Sequence, residues 1–260
     1  MLTASLLLNL VLAVLLALAG GQVAREYRKR KQRNLLSRWP LPRVPLEQFD
    51  ERFVRGALGP SRETEARLIL GGNRGLKGGT SDYEAWILAV LAKDARVMFE
   101  FGTCTGRTTY LWALNSSADA RIHTITLSPQ SMADYRAEAG DDDSAASDAL
   151  SESAFDSFYY SGTPVAGKVH QLFGDSKEFD EASLAGQCDL VFVDGSHAYS
   201  YVVSDSEKAL RMVRKGGLVL WHDYRGPRSA PDVFRALNEL GQRLRLVHLA
   251  DTSLVAYRHE

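Results

Sequence analysis

The chain has 260 residues, a formal net charge of -1 at pH 7 and 24% charged residues. This balance gives no sign of a nucleic-acid-binding protein, whose surface is usually strongly basic. The two cysteines, Cys104 and Cys188, have no Cys-x-x-Cys partner, which argues against a disulfide framework and against a structural zinc site. The length predicts one large domain with an appendage.

The N-terminal segment differs in composition from the rest of the chain. Residues 2–21 carry no charge and are rich in Leu, Val and Ala, and basic residues from Arg25 to Arg33 follow at once. About 20 apolar residues can cross a bilayer, and basic residues mark the cytoplasmic side. We therefore predict a single-pass transmembrane anchor over residues 1–22, with the part of the chain that follows it in the cytoplasm. A cleaved signal peptide and a buried soluble helix are the alternatives; a signal peptide normally has positive charges before its apolar run.

The middle of the chain begins with residues 23–78, which we interpret as a basic juxtamembrane linker rich in Pro and Gly. The folded domain is predicted to span residues 79–260. Its first helix is expected to start at Ser81, because Glu84 follows three residues later in the pattern of a capping box. Strands and helices then alternate, and an antiparallel hairpin is expected over residues 244–257. This order predicts an α/β fold with a doubly wound, mostly parallel, Rossmann-like sheet.

The first strand of this sheet leads into a glycine turn. Residues 97–109 read V-M-F-E-F-G-T-C-T-G-R-T-T, an apolar strand followed by Gly102, Gly106 and the start of a helix. Glycines let backbone approach a ligand, and a helix start offers unpaired N–H groups, so the stretch is typical of a nucleotide-binding corner. The spacing is neither the dinucleotide fingerprint nor a Walker loop. An ordinary strand-to-helix turn is the alternative.

An acidic insertion at residues 131–157 interrupts the alternation. Its aspartates and glutamates are interleaved with Ala and Ser, which favours a solvated, partly disordered loop, particularly over residues 140–147. The functional alternative is a lid over the site, ending in the aromatic residues of 155–160.

Acidic side chains follow four predicted strands, at Glu100, Asp175, Asp194 and Asp223. Since the last two end neighbouring strands, their carboxylates could converge on one hard cation such as Mg²⁺. Histidines accompany these two aspartates, and a pKa near neutrality suits a histidine to general-base catalysis. The two candidates are His197, which could instead be a surface turn residue, and His222, for which a supporting or capping role is the more common use.

The run around Gly102 is followed by G-D-S at 174–176, V-D-G-S-H at 193–197, K-G-G at 215–217 and H-D-Y at 222–224. In order and spacing, these motifs resemble a class I S-adenosylmethionine-dependent methyltransferase over residues 79–258. Within that superfamily the chain is most similar to metal-dependent O-methyltransferases of the catechol and macrolide-sugar types.

The resemblance implies a role for each matching residue. The methionine and ribose parts of the cofactor would be held by Glu100, Gly102, Thr103, Thr105 and Gly106. The adenine would approach Asp175 and Ser176. Magnesium would bind Asp194 and Asp223, of which Asp194 also borders the cofactor. The proton acceptor would be His197, which occupies the position of the catechol enzyme's lysine.

Two positions depart from the family pattern. Thr126 stands where the family usually has an acidic ribose ligand, and Tyr224 stands where it often has a third metal ligand. The predicted function is a membrane-anchored, Mg²⁺-assisted O-methyltransferase acting on a hydroxyl of a sugar, a glycolipid or another small acceptor. A metal-independent methyltransferase and a non-catalytic cofactor-binding scaffold at the membrane remain alternatives.

Overall fold

The computed structural model describes residues 12, 15–16, 19–24, 39–70 and 79–260. The chain divides into two compact units, residues 1–40 and Leu41–Glu260. In the first unit, residues 12, 15–16 and 19–24 are helical and their side chains are exposed. Among the described residues, no helix combines the length and the apolar character needed to cross a bilayer. Most of the anchor predicted over residues 1–22 lies outside the described residues.

The helices of the second unit, within the described part of the chain, are α1 (Leu46–Phe49), α2 (Asp82–Leu91), α3 (Arg107–Asn115), α4 (Asp143–Glu152), α5 (Tyr199–Met212) and α6 (Pro231–Leu240). The strands are β1 (Arg43–Val44), β2 (Arg55–Gly56), β3 (Gly59–Pro60), β4 (Val97–Phe101), β5 (Arg121–Thr126), β6 (Val169–Phe173), β7 (Cys188–Val193), β8 (Val213–Trp221), β9 (Val247–Leu249) and β10 (Val255–Arg258).

Eight of these strands form one sheet in the order β1-β9-β10-β8-β7-β4-β5-β6, while β2 and β3 pair separately. The five strands from β8 to β6 run parallel to one another. Strand β10 runs antiparallel to β8 and β9, which confirms the predicted closing hairpin. The chain first builds outward from β4 to β6 and then returns to add β7 and β8 on the other side. A ligand crevice is expected at this reversal, beyond the carboxyl ends of β4 and β7.

The central strands are apolar because both faces of the sheet are covered. All five residues of β4 are buried. Met98 on β4 belongs to a single apolar cluster with Trp112 of α3, Phe192 of β7 and Leu220 of β8. Burial of continuous apolar strands between helices is typical of parallel sheets and holds their carboxyl ends in fixed positions.

The folded unit begins at Leu41 rather than at the predicted boundary, Gly79. Strand β1 pairs with β9 at the sheet edge, and Phe53 is 2% exposed and packs edge-on against Trp86. Described residues 41–70 therefore belong to the domain and not to the linker predicted over residues 23–78. The prolines separate helices and strands that are too short to show a hydrophobic period in the sequence. That these short elements belong to the domain is seen only in their packing against distant residues.

The acidic insertion also differs from its prediction, because helix α4 occupies much of the expected loop. Asp142 caps the helix by accepting a hydrogen bond from the Ser144 N–H at 2.8 Å. Ala145 is buried against Ala198 and Tyr201. The helix thus depends on one small apolar contact together with its cap, a signal too weak to stand out among acidic residues.

Candidate active site

The glycine turn brings the ends of β4 and β7 into backbone contact. Gly102 has a φ of +94°, and a Cβ built on it would lie 2.1 Å from the carbonyl oxygen of Asp194. Its N–H donates to the Ile125 carbonyl at 2.9 Å, and the Asp194 N–H donates to the Phe101 carbonyl at 2.9 Å. Only glycine fits here, since any side chain would push the two strands apart.

An aromatic segment covers the second glycine of the turn. Gly106 has a φ of +74°, and its Cβ would meet Phe158 and Tyr160, each at 2.8 Å. These two rings stack at a centroid distance of 5.3 Å, and the Tyr159 N–H donates to the Thr105 carbonyl at 3.0 Å. The end of the acidic insertion is therefore fastened to the turn, and it limits the space above the start of α3.

Glu100 lies beneath the turn instead of facing a cavity. It is 1% exposed and accepts hydrogen bonds from Thr109 and, at 2.8 Å, from Thr124. Thr124 in turn contacts the hydroxyl of Thr103 at 2.8 Å. Burial raises the pKa of Glu100 to about 8, although the threonine hydrogen bonds oppose that rise. Glu100 therefore supports the turn, and the cofactor contact expected from the sequence stays a prediction.

A cleft of about 500 Å³, open to solvent, lies beyond the carboxyl ends of β4, β5, β6 and β7. It is lined by four of the predicted cofactor residues, Gly102, Asp175, Ser176 and Asp194, and by Thr126 at the position of the missing ribose carboxylate. The other predicted residues, Thr103, Thr105 and Gly106, shape the turn beside the cleft without lining it.

The adenine candidate Asp175 is already engaged in the structure. It is 7% exposed and accepts hydrogen bonds from the Lys177 N–H at 2.9 Å and from the Tyr201 hydroxyl at 3.0 Å. The Tyr201 ring stacks on Tyr135 at a centroid distance of 4.7 Å, and both rings line the cleft. Asp175 thereby fixes the aromatic wall of the cleft.

Two acidic residues that the sequence reasoning missed also line the cleft, Glu152 at the end of α4 and Asp205 on α5. Burial raises the pKa of both; His197 opposes the rise at Glu152, and Ser176 opposes it at Asp205, whose pKa is about 7. Asp205 could have been recognised in the sequence, because it is an acidic residue among the apolar residues of the buried face of α5. Glu152 could not, because its segment is acidic throughout.

Four of the predicted residues meet at the ends of β7 and β8. His222 Nδ1 lies 2.9 Å from Asp194 Oδ1 and 3.3 Å from Asp223 Oδ1. His197 Nε2 lies 2.6 Å from Asp223 Oδ2, and the Arg225 guanidinium lies 2.5 Å from Asp223 Oδ1. We call Asp194, His197, His222 and Asp223 the charged centre. Its members come from two strand ends that are adjacent in the sheet, as predicted.

The charged centre couples its members electrostatically. Burial opposes protonation of both histidines, yet the pKa of His222 is raised well above its usual value by Asp194 and Asp223. The pKa of His197 is also raised, by its hydrogen bond to Asp223 and by the nearby acidic charges. Burial raises the pKa of Asp194, whereas His222 and His197 hold that of Asp223 well below its usual value. The acidic neighbours therefore stabilise the protonated form of both histidines.

Glu84 supports this centre from α2. The predicted capping box with Ser81 is present, and the other carboxylate oxygen accepts from the Ser253 N–H at 2.6 Å. Glu84 Oε2 also lies 3.6 Å from His222 Nε2. Burial opposes ionisation of Glu84, but His222 and these hydrogen bonds hold its pKa well below the usual range. A residue predicted only as a helix cap thus also faces the site.

The donor set of the charged centre fits a divalent cation. One ligand atom each from Asp194, His222 and Asp223 can be chosen so that all lie within 4.8 Å of one another. Asp223 has a φ of +62°, a strained value for a non-glycine residue that is often found at functional sites. Tyr224 is not a ligand, because it is 1% exposed and its hydroxyl donates to Asn238 at 2.7 Å.

A second, smaller cavity of about 230 Å³ lies against the charged centre. His197, His222 and Asp223 line it, and it shares Asp194, Gly195 and Ser196 with the larger cleft. A molecule in the cleft and a molecule at the charged centre would therefore be separated only by this short loop after β7.

Comparison with known families matches the region that contains both cavities. Residues 99–224 match the family model described as a methyltransferase domain. The chain carries a methyltransferase domain. This agrees with the resemblance seen in the motifs, and the methyltransferase domain includes the glycine turn, the cleft and the charged centre.

Solved structures resemble the fold of the methyltransferase domain at low sequence identity. The SAH-bound methyltransferase PaMTH1 from Podospora anserina is 18% identical, with a TM-score of 0.50, over 70% of this chain and 80% of that one. The SAM complex of the O-methyltransferase TomG from Streptomyces achromogenes is 18% identical, with a TM-score of 0.48, over 70% and 82%. Cofactor-bound Rv0187 from MTB is 20% identical, with a TM-score of 0.48, over 76% and 85%.

One curated relative is an uncharacterized protein, R132, from Acanthamoeba polyphaga mimivirus. It is 34% identical over 68 residues, which amount to 24% of this chain. The matched segment spans 31% of the length of that relative.

Proposed function

We propose that the protein is an S-adenosylmethionine-dependent O-methyltransferase that methylates a hydroxyl of a sugar, a glycolipid or another small acceptor. The observation that carries the proposal is the junction of the two cavities at residues 194–196, where the cleft beside the glycine turn meets a centre with two histidines. The family match and the cofactor-bound state of PaMTH1 support the identity of the methyl donor.

The cleft residues would hold the cofactor, and its sulfonium would supply a methyl group that is already activated for transfer. Backbone groups around Gly102 can approach this ligand closely, because no side chain intervenes. The protein's remaining tasks are to align an acceptor oxygen and to remove its proton. Alignment of reacting groups alone can supply a large part of a rate enhancement.

His197 is the proposed proton acceptor. Its side chain is 30% exposed at the smaller cavity, and Asp223 orients the ring through the 2.6 Å contact. His222 is less suited to this role, because its side chain is 4% exposed and lies between Asp194 and Glu84. We therefore assign His222 to positioning Asp194 and retain it only as the next candidate for the base.

Magnesium assistance is a further part of the proposal. Asp194 and Asp223, with His222, would hold the cation, which would lower the pKa of a bound hydroxyl. Both histidines would first have to lose protons, since they now pair with the same carboxylates. Release of Asp223 from His197 would also lower the pKa of that histidine, which could then lose its proton to solvent and accept one from the acceptor hydroxyl.

A metal-independent methyltransferase is the second candidate, and the same contacts favour it. Asp194 is paired with His222, and Asp223 is paired with His197 and Arg225, so cationic side chains already compensate both carboxylates. Complete loss of activity with a chelator, restored by Mg²⁺, would exclude this candidate. Activity that survives chelation would exclude the metal-assisted form.

We also propose that residues 2–21 anchor the protein in a membrane, with the methyltransferase domain in the cytoplasm, where S-adenosylmethionine is made. The uncharged composition and the basic residues that follow support this proposal, as do the exposed leucines at 12, 15 and 16. A C-terminal tag should resist protease added to sealed cells. Digestion of the tag from outside would contradict the proposed topology.

The proposed reaction can be tested with labelled S-adenosylmethionine and fractionated cell extracts. Wild-type protein should transfer label to an acid- and base-stable methyl ether, whereas His197→Ala should transfer little. The variant of an exposed histidine, His170→Ala, is the matched control. Label found only on nitrogen or on carboxyl groups, or no transfer by a wild-type protein that binds the cofactor, would refute O-methylation.

A further inference from the structure

Asp205 is a buried acid with one unused acceptor at the wall of the cleft. Its side chain is 1% exposed and lines the cleft, behind Gly195. One carboxylate oxygen lies 3.4 Å from the position that a Gly195 Cβ would take. The oxygen Oδ1 accepts no hydrogen bond from the described residues and is shielded from solvent. A buried acceptor without a donor is unfavourable, so the site is expected to receive a donor from a ligand.

The surroundings of Asp205 fit a flat heteroaromatic ring. Ile125 and Leu127 at the end of β5 line the same cleft as the stacked rings of Tyr135 and Tyr201. Apolar and aromatic walls with a few convergent polar groups are typical of ring-binding pockets. Asp205 provides such a polar group at the wall of the cleft.

Asp175, the neighbouring acid, is less able than Asp205 to accept a hydrogen bond from a ligand. Both oxygens of Asp175 already accept hydrogen bonds, one from the Lys177 N–H and the other from the Tyr201 hydroxyl. A ligand amine would have to share or displace these donors at Asp175. At Asp205, by contrast, Oδ1 accepts no hydrogen bond from the described residues.

We propose that Asp205, and not Asp175, is the residue that reads the adenine of the cofactor, by accepting a hydrogen bond from its exocyclic amine. The proposal rests on the proposed function, because it takes S-adenosylmethionine as the methyl donor. Asp175 then has a positioning role, since it holds the Tyr201 ring against Tyr135.

The proposal predicts a defined selectivity. The 6-oxo base hypoxanthine replaces the amine donor with a carbonyl acceptor. That carbonyl oxygen would face Oδ1 of Asp205, and neither of these two oxygens would have a donor. An amide at position 205 carries an N–H₂ group that can donate to that carbonyl. Asp205→Asn should therefore relax or reverse the preference for adenine, whereas a merely structural role of Asp205 would weaken both ligands equally.

Calorimetric titration with S-adenosylhomocysteine and its 6-oxo analogue, S-inosylhomocysteine, tests this. Wild-type protein should prefer the adenine compound by about 10- to 100-fold, as expected for one buried hydrogen bond lost. Asp205→Asn should reduce that ratio at least about tenfold, and the control Asp175→Asn should weaken both compounds while leaving the ratio near the wild-type value.

Four results would overturn the assignment. An unchanged ratio in Asp205→Asn, or a ratio lost only in Asp175→Asn, would return adenine recognition to Asp175. Equal binding of both compounds by the wild-type protein would also refute the assignment of Asp205. This outcome needs no variant, so it holds even if Asp205→Asn does not fold. Binding of neither compound by the wild type would refute the proposed function together with this inference.

Discussion

The glycine turn and the charged centre lie side by side at the end of β7, yet different forces hold them. At the turn, backbone packs against backbone, and the 2.1 Å approach of a Gly102 Cβ to Asp194 leaves no alternative residue. At the charged centre, two histidines and two aspartates are held by pairing of opposite charges. Steric fit determines the structure of the turn, whereas the charges on the side chains determine that of the charged centre. The two regions should therefore respond to different perturbations.

Loss of the glycine at the turn should have the largest effect. Gly102→Ala should lower the free energy of unfolding by more than about 3 kcal/mol and abolish cofactor binding, because strain at positive φ adds to a backbone clash. Gly59→Ala is the matched control, since Gly59 has a φ of +98° but open space around it. It should cost only about 1–2 kcal/mol. If chemical denaturation gave the same loss in the free energy of unfolding for both variants, the backbone clash expected at Gly102 would be absent.

Loss of the proposed base should affect turnover while leaving the turn intact. His197→Ala should lower kcat by about 10²–10⁴-fold, the usual cost of removing a general base, with cofactor affinity nearly unchanged. Single-turnover kinetics on the acceptor and calorimetry with the cofactor measure the two quantities separately. Near-wild-type turnover would make His222 the next candidate, and a parallel loss of affinity would mean that the two regions are not independent.

The buried Glu100 should make stability depend on pH. Its pKa is raised from 4.5 to about 8, so the unfolded chain loses this proton before the folded protein does. Its contribution to the free energy of unfolding therefore falls as pH rises from about 4.5 to about 8. Glu100→Gln should remove this fall, and the exposed control Glu207→Gln should not. Parallel denaturation curves for wild type and Glu100→Gln across this pH range would contradict the account.

Removal of the charge on Asp223 should have the smallest effect on stability, and the pKa of His197 should report it. In metal-free protein, nuclear magnetic resonance should give His197 a pKa above the usual 6.5. Burial opposes this rise, but the hydrogen bond to Asp223 and the nearby acidic charges together outweigh it. In Asp223→Asn this pKa should fall, since the hydrogen bond to a carboxylate and its charge are lost. An unchanged or higher value in the variant would assign the shift to Asp194 or Glu152 instead.

These contrasts explain which parts of the molecule the sequence could predict. The glycine turn and the aspartates after β7 and β8 were readable because each depends on residues adjacent in the chain. The placement of Glu100 was not, since its burial depends on threonines from α3 and β5. Tertiary packing brings Glu84 to the charged centre and Glu152 to the wall of the cleft. Residues 41–70 likewise join the domain through contacts with distant elements, such as the pairing of β1 with β9.

The central claim is that the cleft beside the glycine turn binds the cofactor without a cation at the charged centre. Titration of the wild-type protein with S-adenosylmethionine, once with a chelator and once with Mg²⁺, tests it most directly. The account predicts binding of one molecule per chain under both conditions, with similar affinity, because no proposed metal ligand has to change partners for the cleft to form. No binding with either addition, or binding only with Mg²⁺, would contradict it.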